Sequence, residues 1–216
     1  MSTLHFPYRL YLVTDEAACG GRDLVSVTEA AVKGGVDLVQ IREKNLAEKD
    51  FLKKAQRLKD MLERYDVPLI VNDNLSVAIA CHAAGIHVGS ADVSPETIRK
   101  QWPSCSILGY SLEYEEQLQS VEASLSDYLA LSPIFSTPTK TDTVVTWGLE
   151  GIRKIRSLSS KPLIAIGGIH AGNVGEIIRA GADCLAVVSA VCSAPDPASA
   201  AEKIREEIEK ALTLKL

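Results

Sequence analysis

The chain has 216 residues, of which 46% are apolar, 24% charged and 5% aromatic. That balance excludes a disordered chain and supplies aliphatic surface for one sizeable core, with roughly 70% of the unfolded surface buried at this size. The net charge of −5, without a basic run of five or more residues, argues against a nucleic-acid partner.

In chain order, short aliphatic runs alternate with amphipathic stretches. The first ten residues lack the charged-then-apolar order of a signal peptide. Strands are expected at Tyr8–Asp15, Val36–Glu43, Pro68–Asp73, Ile86–Ser90, Ser106–Leu112, Asp127–Ile134, Pro162–Ile169 and Cys184–Val191. Ala47–Tyr65 places Phe51, Leu52, Ala55, Leu58, Met61, Leu62 and Tyr65 on one stripe, as an amphipathic helix does. Ser94-Pro95-Glu96 reads as an N-cap, a first-turn proline and a first-turn acid. Ile204, Ile208 and Leu212 recur every four residues in a last helix near Pro197–Leu212, and Gly34-Gly35, Gly85 and Gly181 read as helix closures. No apolar run is long enough to span a bilayer. Five scattered cysteines without metal-ligand spacing read as reduced thiols, so a cytoplasmic protein is expected.

Eight strand–helix units of about 27 residues each, with no break in composition, predict a single-domain (β/α)8 TIM barrel; an open doubly wound sheet is the competing arrangement. Both bind ligands at the carboxyl ends of the strands. Gln40, Arg42 and Lys44 alternate along the second strand end, and unpaired charges on one covered face call for an anionic ligand. The third and fourth strand ends bring Asp73 and Asp92, either a Mg2+-holding pair, a proton-sharing pair or two helix caps. Gly167-Gly168 and Val188-Ser189 stand after strands seven and eight, the usual phosphate side of such a barrel. The sixth loop, residues 136–146, is long and rich in hydroxyls, as lids are. His87 reads as a satisfied core residue, His82 as a helix residue, and His170 as a candidate substrate contact.

Tyr11-Leu12-Val13-Thr14-Asp15, Gln40-Ile41-Arg42-Glu43-Lys44, Val71-Asn72-Asp73, His87-Val88-Gly89 with Asp92, Pro133-Ile134-Phe135 with Thr137-Pro138-Thr139-Lys140, Gly167-Gly168-Ile169 and Val187-Val188-Ser189 together resemble the thiamine-phosphate synthase family over about residues 8–212. The resemblance implies joining an aminopyrimidine diphosphate to a thiazole phosphate with release of pyrophosphate. It implies catalytic roles for Arg42, Lys44 and Lys140, and pyrimidine-diphosphate contacts from Gln40, Ile41, Arg42, Glu43, Lys44, Asn72, Ser111 and Lys140. Thiazole-phosphate contacts are implied for Thr137, Pro138, Thr139, Gly168, Val188 and Ser189, with Mg2+ on Asp73 and Asp92. The implied partners are small molecules, with neither nucleic acid nor membrane, and a homo-oligomer is allowed. Ser90 and Leu112 depart from the family, which commonly carries Gln and a His-containing stretch there, and Lys140-Thr141-Asp142 lacks its frequent second basic residue. A thiazole tautomerase and a non-catalytic sensor of thiamine precursors are the alternative readings.

Overall fold

The computed structural model describes residues 6–136 and 146–214. In order it runs β1 (Leu10–Val13), α1 (Leu24–Lys33), β2 (Leu38–Ile41), α2 (Glu48–Glu63), β3 (Leu69–Asn72), α3 (Leu75–Ala80), β4 (Gly85–Val88), α4 (Pro95–Gln101), β5 (Ile107–Leu112) and α5 (Val121–Leu125). Then follow β6 (Tyr128–Leu131), α6 (Gly148–Leu158), β7 (Leu163–Ile166), α7 (Val174–Ala180), β8 (Cys184–Val187), α8 (Ser189–Cys192) and α9 (Pro197–Thr213). All eight strands are parallel and close into a barrel, β8 returning to β1 through Leu10–Leu185 and Leu12–Val187.

The strands are shorter than the apolar runs that announce them. Only their central residues enter the ladder, and flanking apolar residues are buried in connections. The run expected to end the eighth strand departs furthest: Ser189–Cys192 turns into α8, with Val191 and Cys192 both donating to the Val188 carbonyl. A short apolar run reads alike in either state, so periodicity alone did not separate them. Gly85 opens β4 instead of closing a helix, and a Cβ there would lie 1.9 Å from the Ile107 carbonyl oxygen. His82 lies beyond the end of α3, at φ 52°.

Alternation along each strand makes two cores. Leu10 and Leu12 face the helix shell with Ile41, Leu58 and Ile204, while Tyr11, Val13, Leu38, Ile70, Tyr128, Ile164 and Ala186 fill the barrel. Phe6 and Tyr8 pack against that inner cluster. α2 buries Phe51, Ala55, Leu58, Met61 and Leu62, the expected stripe, and Ser94 caps α4 through the Thr97 N–H at 3.2 Å.

The amino end of the barrel repeats one device. Asp37, Asp127 and Asp183 each precede a strand and accept the N–H of the neighbouring strand's first residues: Leu10 at 3.0 Å, Leu108 at 2.7 Å and Leu163 at 2.8 Å. An arginine completes each clamp, Arg205 at 2.5 Å, Arg99 at 2.8 Å and Arg156 at 3.1 Å. These charges fasten the amino ends of the strands, opposite the end where barrel loops place their chemistry. Among the described residues no helix is long and apolar enough to cross a membrane.

Candidate active site

The carboxyl ends of the strands enclose a cavity of about 280 Å³. β2 supplies its cationic wall by simple alternation. Gln40, Arg42 and Lys44 line the cavity, whereas Ile41 is fully buried in the helix-facing core. Glu43 turns outward to Lys54 at 2.7 Å, and Lys54 also holds Glu16. The contiguous run from Gln40 to Lys44 therefore divides between two faces, and the side chains of Ile41 and Glu43 are not among the cavity's lining. Thr14 Oγ1 accepts the Arg42 N–H at 3.2 Å, fixing the strand end. The Arg42 guanidinium has no hydrogen-bond or ion-pair partner among the described residues, and Lys44 Nζ lies 3.9 Å from Asp73 Oδ2.

β3 and β4 supply the acids. Neither is a helix cap: Asn74 caps α3 through the Val77 N–H at 2.9 Å, and Ser94 caps α4. Asp73 instead adopts φ 61°, a conformation that non-glycine residues seldom take, and its N–H donates to the His87 carbonyl at 2.9 Å. Asp92 accepts the Gly89 N–H at 2.8 Å. Burial and then the negative charge of Asp92 push the Asp73 carboxyl up to about 6, against the opposing pull of Lys44. Two carboxylates held this close suit a small hard cation, and Mg2+ takes one or two carboxylates with phosphate and water oxygens for the rest. Among the described residues no cluster of three or more His, Cys, Asp or Glu side chains is placed to hold a metal. The donor set thus fits a cation that arrives with, and is completed by, a phosphorylated ligand.

Across the cavity stand Gly167, Gly168, Val188 and Ser189. The two glycines have φ of 104° and 66°, and Cβ atoms there would approach Pro133 Cβ to 2.6 Å and Phe135 Cβ to 2.8 Å. Only glycine satisfies both the left-handed backbone and that close packing. Ser189 and Ala190 open α8, where N–H groups lack a carbonyl one turn behind them and favour an anion.

Sequence reasoning left several lining residues unassigned. Tyr11 and His87 line the cavity with the expected Asn72 and Ser111, and Ser90 donates to Glu113 at 2.7 Å on the rim. Tyr11 shares the inward parity of Val13 on β1, so strand alternation was the signal that pointed to it. Ser90 is engaged by an acid of the next strand end. His170 accepts the Gly172 N–H at 3.2 Å outside the lining. Thr137, Pro138, Thr139, Lys140 and most of the expected lid lie outside the described residues.

The profile of the family described as thiamine monophosphate synthase matches residues 10–191. A thiamine-phosphate synthase of Albidiferax ferrireducens is 51% identical over 202 residues, covering 93% of this chain and 92% of the relative. One of Vibrio campbellii is 44% identical over 198 residues, covering 90% and 95%. Among solved structures, a thiamine phosphate pyrophosphorylase from Pyrococcus furiosus superposes with a TM-score of 0.86 at 32% identity, covering 95% of this chain and 97% of that one. A 3-hexulose-6-phosphate synthase, at 16% identity and a TM-score of 0.68 over 93% and 99% of the two chains, shares the fold.

Proposed function

The chain belongs to the thiamine monophosphate synthase family, and on that premise we propose that it joins 4-amino-2-methyl-5-hydroxymethylpyrimidine diphosphate to 4-methyl-5-(2-hydroxyethyl)thiazole phosphate, releasing pyrophosphate. The observation that carries this reading is the single cavity wall on which Arg42 and Lys44 stand beside the Asp73–Asp92 pair. Cations alternating with paired acids suit a diphosphate that brings its own divalent ion.

Departure of the diphosphate leaves a pyrimidine cation stabilised by its own amino group, and the thiazole nitrogen captures it. Negative charge grows on the leaving oxygens, so the guanidinium of Arg42 and the ammonium of Lys44 hold the transition state more tightly than the substrate. Lys140 joins them by family resemblance. Mg2+, held by Asp73 and Asp92, would neutralise the departing diphosphate. Gln40, Asn72 and Ser111 orient the pyrimidine. Gly168, Val188 and Ser189, with Thr137, Pro138 and Thr139 by resemblance, receive the thiazole phosphate. The thiazole nitrogen already carries its lone pair, so no general base is required, and juxtaposing the two substrates supplies much of the acceleration. Five buried, unbridged cysteines support a reducing, cytoplasmic setting.

Purified protein with both substrates and Mg2+ is expected to form thiamine phosphate and one equivalent of pyrophosphate. Release should depend on the thiazole phosphate, which separates synthesis from a thiazole tautomerase or a non-catalytic binder. Failure to form thiamine phosphate at saturating substrates would overturn the reading.

A further inference from the structure

Beneath the charged rim, five side chains form one unbroken hydrogen-bonded chain across the barrel. Gln40 Nε2 donates to Tyr11 Oη at 2.7 Å; Tyr11 Oη and Tyr128 Oη are 3.1 Å apart. Tyr128 Oη is 2.9 Å from His87 Nδ1, and His87 Nε2 is 2.9 Å from Ser111 Oγ. The ends of the chain, Gln40 and Ser111, line the cavity from different strands, whereas Tyr11 and Tyr128 are almost wholly buried.

The contact between Tyr128 and His87 depends on a missing side chain. A Cβ on Gly109 would lie 2.2 Å from Tyr128 Oη and 2.5 Å from His87 Nδ1. The two rings are nearly parallel, 11° apart. Burial pushes the pKa of both phenols above the ordinary tyrosine value, so each keeps the O–H that the chain needs.

Each hydroxyl has one proton to give, which makes the chain directional. With the Gln40 amide nitrogen donating to Tyr11, the Tyr11 O–H turns to Tyr128 and the Tyr128 O–H to His87 Nδ1. The ring proton then sits on Nε2 and is donated to Ser111 Oγ, and the serine O–H is left to donate elsewhere. At the other end Gln40 Oε1 remains an acceptor. The reverse order exists only if every member turns over together.

We infer that Tyr11, Tyr128 and His87 are positioning residues that tie the polarity of Gln40 to that of Ser111, so that the cavity offers an acceptor and a donor together and selects an amino-substituted heteroaromatic ring over its oxo counterpart. An aminopyrimidine carries the complementary pair, an N–H donor and a ring-nitrogen acceptor. An oxopyrimidine carries a carbonyl acceptor and a ring N–H donor, and must invert all five members or leave buried groups unpaired. The ligand class rests on the function proposed above; the coupling along the chain does not.

The test has a ligand-free arm and a ligand arm. In protein labelled with 15N-histidine, the His87 ring is expected to carry its proton on Nε2. Gln40→Glu puts an acceptor-only group at the far end and should bring the proton to Nδ1. With Tyr128→Phe added, the link is cut and Gln40→Glu should no longer move it; movement that persists means charge acting through space, and overturns the relay. A wild-type ring protonated on Nδ1 also overturns it. In the ligand arm, the wild type should bind the amino diphosphate about 10-fold to 100-fold more tightly than the 4-oxo analogue. Tyr128→Phe should reduce that ratio toward one, and an unchanged ratio in a folded variant refutes the assignment. If neither pyrimidine binds, the proposed function fails while the ring-proton measurements still judge the relay, and they also decide it should Tyr128→Phe not fold.

Discussion

Asp73 is a residue whose replacement should stabilise the ligand-free protein while removing its activity. Its carboxyl is displaced from an ordinary 3.8 up to about 6 by burial and by Asp92. A folded-state value above the unfolded one means that ionisation opposes folding: the native state holds its proton more tightly, and stability is lost as pH rises from about 4 through 6. The displacement corresponds to at most about 3 kcal/mol. The side chain is 31% exposed, and screening brings a realistic figure to about 1–2 kcal/mol. Asparagine is the right probe, because it tolerates the left-handed backbone at φ 61° and stays neutral. In metal-free buffer at pH 8, Asp73→Asn should therefore melt about 2–8 °C above the wild type by circular dichroism. The gain should shrink below pH 6 and be largely gone by pH 4. Adding Mg2+ with pyrophosphate should raise the wild-type midpoint and move the variant's much less. A variant less stable than wild type at pH 8, or a gain that persists undiminished at pH 4, would refute the reasoning.

Other outcomes follow from the same geometry. Arg42→Ala removes a cation with no other described partner, so kcat/KM should fall about 10²-fold to 10³-fold with little change in melting temperature. Gly168→Ala adds a methyl 2.8 Å from Phe135 Cβ at a positive φ; it should lower stability by about 1–3 kcal/mol in urea unfolding and raise the KM for the thiazole phosphate more than that for the pyrimidine. Asp127→Asn weakens a clamp on Leu108 and Arg99 at the opposite end of the barrel. It should cost about 1–3 kcal/mol of stability and leave kcat unchanged.

The barrel and its order of elements were legible because each strand is buried on both faces and each helix carries one apolar stripe, so local pattern and global architecture agree. The stripe from Phe51 to Leu62 and the Ser94 cap are local features, set by residues close in sequence. That Arg42, Lys44, Asp73 and Asp92 would share one cavity was legible as well, since all four stand at or just after strand carboxyl ends. Strand limits were less so: Ser189–Cys192 has the composition of a strand and becomes a helix because the chain turns after Val187.

Sequence by itself thus determined the repeated strand–helix unit, the end of the barrel at which the polar side chains gather and their chemical types. Tertiary structure alone decided which of those residues meet. Parity at the end of β2 sends Glu43 to Lys54 and leaves Arg42 to the cavity. Closure of β8 onto β1 and the absence of a side chain at Gly109 let Gln40, Tyr11, Tyr128, His87 and Ser111 form one chain. Those partners lie on five different strands, up to 117 residues apart for Tyr11 and Tyr128. Hydrogen bonds between them depend on distances of about 3 Å that no linear pattern encodes.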